Sequence, residues 1–309
     1  DALADRGSSR TYRLDGDERV ADGLRRIARE QADDAIEQLR EQSEGLPAAV
    51  HEARKDLKKI RSVLRLVQSR LGADTYQREN QRYRDAGRLL SSTRDAEVKV
   101  ATLEQLGAHY AHDIPPVAEP LAAALERDRR QSSRDAEGES AGVEQAVAAV
   151  EAGRVAIADW PLEGSGWELV GKGLARGYRR GRRAFHETVD GDDPETVHEW
   201  RKRVKDLWYH LRLLRDAWEP VVGGLADEAH ELADLLGDHH DLHVLAVDVA
   251  ARHEMAASGE DPGPLVTMIE RRQDELLDEA VPICERLYAE KPKAFVGRVH
   301  DYWRAWRID

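Results

Sequence analysis

The chain has 309 residues and a formal net charge of −13, and it is 35% charged and 41% hydrophobic. That length supports one large domain or two ordinary ones with a real core, and that apolar content excludes a disordered chain. The acidic balance excludes a general nucleic-acid coat, the lone Cys284 excludes an intramolecular disulfide, and no apolar run reaches the roughly eighteen residues of a membrane span.

The opening DALADRGSS has no apolar signal-peptide core. With a single cysteine, this sets the expectation of a cytoplasmic protein. The missing initiator Met fits a chain that is processed, trimmed or cut from something longer.

Residues 1–17 read as a polar lead-in. Glu18 to about Glu44 reads as a helix that turns Val20, Leu24, Ile27, Ala28, Ala35 and Leu39 inward. Gly45 ends it, and Pro47 at a first helical position opens the next. This second helix separates into two faces. Ala53, Leu57, Ile60, Leu64, Val67 and Leu71 form an apolar stripe, while His51, Arg54, Lys55, Lys58 and Arg65 share another face with Arg61 at its margin. Residues 51–70 hold seven Lys or Arg against two acids.

The helix stops near Gly72, and Asp74 with Gln77 forms a capping pair for the next one. That helix carries Arg78, Arg82, Leu89 and Leu90 and breaks at Ser91-Ser92-Thr93. Arg94-Asp95 opens a helix to about His112, Pro115-Pro116 restarts the chain, and 117–131 is helical. Gln131 to Gly142, polar and rich in Gly and Ser, reads as a linker or exposed loop. A helix over 143–158 precedes Trp160-Pro161 and a glycine-containing turn.

The second half repeats this order. Ser165 with Glu168 is a capping box for a helix to about Thr188 that contains GLARGYRRGRRAF. Residues 172–183 hold six cations and no acid, and Tyr178 offers a hydroxyl among them. Gly173, Gly177 and Gly181 keep one side slim at about 1 kcal/mol each in helix propensity, which close approach of a ligand or of a neighbouring helix explains equally well. Asp193 caps the next helix with Pro194 in its first position. Here His198, Glu199, Arg201, Lys202, Lys205, Leu211 and Arg212 repeat His51, Glu52, Arg54, Lys55, Lys58, Leu64 and Arg65 at an offset of 147 residues.

This helix ends near Trp218. Helices over 221–236 and 238–257 are expected to split at Gly237, where HHDLHVL matches TRDAEVK of the first half. Asp261-Pro262 caps a long helix to about Glu290, and Lys293 to Arg307 closes the chain. No strand alternation is present. The expected fold is all-α: two pseudo-symmetric helical bundles related by internal duplication, the first repeat 18–160 and the second 161–309.

A cationic stripe is ordinarily only a solvated helix face. Here the same types recur in both halves, neutralising acids are sparse, and a histidine heads each stripe. Arg and Lys offer forked and point-charge donors to phosphate oxygens, and His adds a donor that titrates near neutrality. The candidate anion-binding residues are therefore His51, Arg54, Lys55, Lys58, Arg61, Arg65, Lys172, Arg176, Arg179, Arg180, Arg183, His198, Arg201, Lys202, Lys205 and Arg212. His239 and His243, four apart, could face one metal, but Thr93, Arg94 and Glu97 in the matching segment are no metal set. No metal and no cofactor is expected. Nor is there a Walker loop, HExxH, CxxC or nucleophile elbow, so no catalytic residue is assigned.

The pair HEARKDLKKIR and HEWRKRVKDLWY, the intervening GLARGYRRGRR, and the helix starts at Arg94-Asp95 and His240-Asp241 resemble the CHAD family of histidine-containing helical domains over about 18–305. The resemblance implies two helical bundles around a basic cavity that binds inorganic polyphosphate, with His51, Arg54, Lys58, Arg61, His198, Arg201, Lys202 and Lys205 lining it. Asp206 and Trp208 stand where that pattern has basic residues, so the second stripe is expected to bind less strongly. No ExExK signature of a fused triphosphate-tunnel domain is present, which implies a solitary member.

The expected function is non-catalytic polyphosphate binding, in the cytoplasm and in association with polyphosphate granules, with no membrane partner and nucleic acid disfavoured. Two alternatives stand beside it. One is a metal-dependent helical phosphohydrolase using the 238–243 His/Asp cluster; the other is a helical scaffold for acidic protein or nucleic acid. Oligomeric state is not encoded in any of these patterns.

Overall fold

Apolar residues spaced three and four apart close into helices that bury their stripes against one another. A computed structural model describes residues 12–90, 94–111, 114–137, 140–164, 166–189, 191, 194–255 and 261–307. Within them run α1 (Val20–Glu41), α2 (Leu46–Leu71), α3 (Ala73–Leu89), α4 (Arg94–His109), α5 (Ala118–Glu137), α6 (Ser140–Ala156), α7 (Gly171–Val189), α8 (Pro194–Leu213), α9 (Gly224–Met255), α10 (Gly263–Leu287) and α11 (Pro292–Trp306). Short 3-10 turns at Ile157–Asp159, Trp167–Leu169 and Arg215–Ala217 and a π turn at Glu219–Gly223 complete the described elements, with no strand among them.

The chain divides into two compact units. The first comprises residues 1–90, 141–231 and 286–309, the second 91–140 and 232–285, so each half of the sequence supplies both. In the first unit α1 packs along α2, α2 along α3, and α7 along α8, with α2 also meeting α7 and α8. Leu24, Ile27, Leu57, Ile60, Leu64 and Trp200 are fully buried there, each aliphatic side chain contributing about 1.5–3 kcal/mol. Tyr12 and Leu14, inside the stretch read as a polar lead-in, join this core. The Tyr12 hydroxyl donates to the Lys59 carbonyl at 3.2 Å, and the Leu14 N–H donates to the Leu213 carbonyl at 3.0 Å. The second unit has its own core, centred on Leu106, Leu125, Leu242, Leu245, Leu265 and Ile269.

Several boundaries differ from those the sequence suggests. α1 ends earlier, at Gln42 in the left-handed region (φ 48°). Gly45 (φ 89°) instead precedes α2, and Gly72 (φ 78°) serves both the end of α2 and the start of α3. Asp74 therefore lies in the first turn of α3, where its charge favours the helix dipole without a capping hydrogen bond. α5 runs through most of the expected linker, to Glu137, because no glycine interrupts it before Gly138. α9 continues through Gly237 as one 32-residue helix. A glycine costs about 1 kcal/mol, and burial of Leu236, Leu242 and Leu245 outweighs it. Ser165 and Asp193, read as caps, lie outside the described residues, and so do the Arg94 and Asp95 side chains.

The α7 glycines are explained by packing. A methyl at Gly173 would overlap the Leu66 carbonyl of α2, one at Gly177 would stand 3.1 Å from His210 Nδ1, and one at Gly181 would overlap the Tyr288 hydroxyl. Tyr178 is turned inward as well, and its hydroxyl donates toward the carbonyls of Leu287 (3.2 Å) and Glu290 (3.1 Å), so it is not offered to a ligand. The α2–α8 crossing is tied by His210 Nε2 to the Ser62 carbonyl at 3.2 Å. That acceptor requires Nε2 to carry the ring proton, and burial pushes His210 down to about 4.

Two stability measurements check this packing. Gly173→Ala should destabilise by about 2–3 kcal/mol in denaturant titration, because the colliding group is backbone. Gly297→Ala, on α11 where an added methyl meets nothing within 4 Å, should be neutral or stabilising by up to about 1 kcal/mol. The folded-state pKa of His210 lies below its unfolded value of about 6.5. Its contribution is thus present above pH ~6.5 and lost as pH falls toward about 4. Melting temperatures of wild type and His210→Gln should converge over that interval; parallel curves would contradict the buried neutral ring.

Candidate anion-binding site

Three helices of the first unit bring guanidinium groups around the α2–α8 crossing. Arg65 Nε of α2 lies 2.7 Å from Asp206 Oδ1 of α8, one turn along from the Ser62–His210 pair. The two pairs run in opposite sequence order, so the helices pass antiparallel. On α7, three residues beyond the Gly173 contact, Arg176 donates to the Arg65 carbonyl. Arg61 Nε donates to Asn80 Oδ1 of α3 at 3.1 Å.

These groups share one electrostatic neighbourhood. Burial, then Arg65 and Arg84, push Arg61 down to about 10, against the opposing pull of Tyr76 and Asp206. Arg176 is held below the usual arginine range by burial, then by Arg180 and Arg179, against the same two groups. Like charges held together at half-burial raise each other's energy, and an arriving anion lowers it. Guanidinium forks fit phosphate oxygens in particular. Asp206 plays a part other than the one its sequence position suggests. Besides offsetting charge, it pins Arg65 and also meets Arg203 Nη1 at 3.2 Å, so it holds α8 to α2.

The remaining candidates fall into groups. Arg61, Arg65, Arg176 and Arg180 belong to the cluster. Farther along α2, Arg54 donates to the Leu90 carbonyl at 2.9 Å, Lys55 pairs with Glu52 at 2.8 Å, and His51 lies 3.7 Å from the same carboxylate. At 1.5 Å per residue, His51 stands about 20 Å from Arg65 along the helix. Lys58 is half-buried between them. On α8, His198, Arg201 and Lys205 are half-buried, and Lys202 is exposed, 3.6 Å from Glu199. Burial, then Lys202 and Arg201, hold His198 below the usual histidine range.

Lys172 is exposed at the start of α7. Arg179 and Arg183 line concavities that include Pro292 of α11, and Arg183 pairs with Glu187 at 2.7 Å. Arg212 is only 7% exposed, its guanidinium 5.5 Å from the Tyr12 ring centroid and 5.2 Å from that of Trp208. Its match to Arg65 in sequence therefore places it against the core.

Sequence reading missed Tyr76, Asn80 and Arg84 of α3. Their four-residue spacing puts them on one helix face, a signal that was present. Tyr209 is also buried, with its ring 5.9 Å from Tyr12. The 238–243 cluster lies on α9 in the second unit. There His239 is buried, its carbonyl accepts from Gln273 Nε2 at 3.2 Å, and burial followed by His243 pushes it down to about 4. Among the described residues no three His, Cys, Asp or Glu are grouped to hold a metal ion, and no helix is long and apolar enough to cross a membrane.

Similar folds occur among solved structures. PptA from Streptomyces chartreusis superposes with a TM-score of 0.59 at 16% identity, covering 88% of this chain and 100% of its own. The CHAD domain of the plant Ricinus communis gives 0.52 at 16% identity, covering 93% and 94%. No curated protein matches the sequence. The CHAD domain family model matches residues 26–247. With that match across most of its length, and with helices and no strand among the described residues, the chain belongs to the CHAD domain family.

Proposed function

We propose that this protein binds inorganic polyphosphate without turning it over, at the cluster of Arg61, Arg65, Arg84, Arg176 and Arg180. The observation that carries the reading is the convergence of α2, α3 and α7 guanidiniums at half-burial, enough to depress Arg61 and Arg176. Membership of a family that includes polyphosphate-binding domains supports it. A polymer with about one charge per phosphate gains from many modest contacts. His51, Arg54, Lys55 and Lys58 on α2 and His198, Arg201, Lys202 and Lys205 on α8 extend the supply beyond the cluster. The internal duplication of 18–160 and 161–309, the basic cavity, and a place in the cytoplasm at polyphosphate granules belong to the same reading.

Arg61→Ala with Arg176→Ala should keep the helical circular-dichroism signal and weaken long-chain polyphosphate by about 100-fold or more in calorimetric titration, since each of the two charge-assisted hydrogen bonds removed contributes about 1.5–3 kcal/mol. Undiminished binding by the folded double variant would overturn the site. With about six contacts, log K against log salt should have a slope near −4, by analogy with single-stranded nucleic acid; pyrophosphate should give a shallower one. Metal-dependent phosphate release that disappears in His239→Ala would replace binding with hydrolysis.

The sign of the pH dependence follows from His198. Its depressed pKa leaves it mostly neutral at neutral pH in the free protein, and a bound polyanion raises that pKa, so binding takes up a proton. Affinity should therefore fall as pH rises from about 5 to 8. His198→Gln should flatten that fall, and an unchanged profile would remove His198 from the site.

A further inference from the structure

The cationic surface of α7 is larger than the proposed polyphosphate cluster uses. Two concavities of about 440 and 420 Å3 share Arg179 and Pro292, so they form one trough between α7 and α11. Both volumes lie within the range of small-molecule sites. Its two ends differ in chemistry. One is strongly basic, with Arg179, Arg182, Arg183 and His186, and the acid lining it is Glu187, which already pairs with Arg183. The other has an aromatic and apolar floor of Trp167, Ala175, Val296 and Gly297, with Lys293 at its side. There the Trp167 ring is held parallel to His300, with centroids 5.0 Å apart and planes inclined by 14°.

A second observation points to an occupant of the apolar end. Each α7 glycine described above is required by a neighbour that a methyl would crowd. Gly297 has no such neighbour: it is exposed, lies inside α11, and an added Cβ would meet nothing within 4 Å. Packing within the chain therefore does not account for this helix-weakening residue. It leaves a notch in the wall of the trough where a flat group could lie against the backbone.

We infer that this trough is a second ligand site, separate from the polyphosphate cluster, and that it takes a phosphate-bearing molecule with a flat aromatic end, the chemistry of a nucleotide. The base lies over the Trp167–Val296–Gly297 floor, where stacking on an aromatic side chain is tolerant of base identity. The phosphates reach Arg179, Arg183 and Lys293, whose charges complement them. Arg182 is anchored by its Nε donating to the Tyr288 carbonyl at 3.1 Å, which fixes the basic end in place.

Calorimetric titration with ATP, tripolyphosphate and adenosine, at near-physiological salt, tests the assignment. ATP is expected to bind at least tenfold more tightly than either part alone. Gly297→Phe places a bulky ring at the notch, and Lys293→Ala removes a cation. Each should weaken ATP at least tenfold while leaving long-chain polyphosphate within twofold. Tripolyphosphate binding as tightly as ATP, or ATP binding unchanged in both variants, would overturn the inference. Wild-type protein that binds ATP but not long-chain polyphosphate would instead count against the proposed function.

Discussion

The contact of α7 with α2 at Gly173 is the constraint on which the basic cluster depends. Without a Cβ there, α7 lies against the Leu66 backbone. Three residues later Arg176 is then close enough to donate to the Arg65 carbonyl. A helix held off by even one methyl group would carry Arg176 and Arg180 away from Arg61 and Arg65. The same approach lets Gly177 admit the buried His210 ring, whose Nε2 closes the α2–α8 crossing onto Ser62. Close helix packing and charge concentration thus have one cause.

That concentration opposes folding, because partly buried guanidiniums repel one another and lose hydration. The chain offsets the cost locally. Asp206 pins Arg65, and Asn80 accepts from Arg61. These partners leave several guanidiniums together with few carboxylates among them, within a protein whose net charge is −13. A negative surround limits loose adhesion of polyanions elsewhere, so affinity depends on the cluster.

Much of the fold was legible because burial follows helical period. Ala53, Leu57, Ile60, Leu64, Val67 and Leu71 are all buried, while the opposite face of α2 stays half-open. Punctuation was less reliable. Gly72 ends a helix as expected, yet Gly237 does not, because neighbouring leucines bury into the second unit's core and tertiary packing outweighs the local cost. The site was legible by residue type more than by partner. Arg65 and Arg212 occupy matched positions, but only the structure distinguishes a cation at a helix crossing from one packed on Tyr12 and Trp208. Arg84 carries no signal of its own in the sequence, because α3 has no matched basic stripe in the second half. Arg179 lines a concavity with Trp167 and Pro292, while Arg176, three residues before it on the same helix, donates to the Arg65 carbonyl, a division that composition cannot reveal.

The most direct measurement is a crystal structure of the protein with long-chain polyphosphate bound. The account predicts phosphate oxygens within hydrogen-bonding distance of Arg61, Arg84 and Arg176, with Arg212 still packed on its aromatic rings. A chain ordered elsewhere on the surface, leaving those three guanidiniums without phosphate, would contradict it.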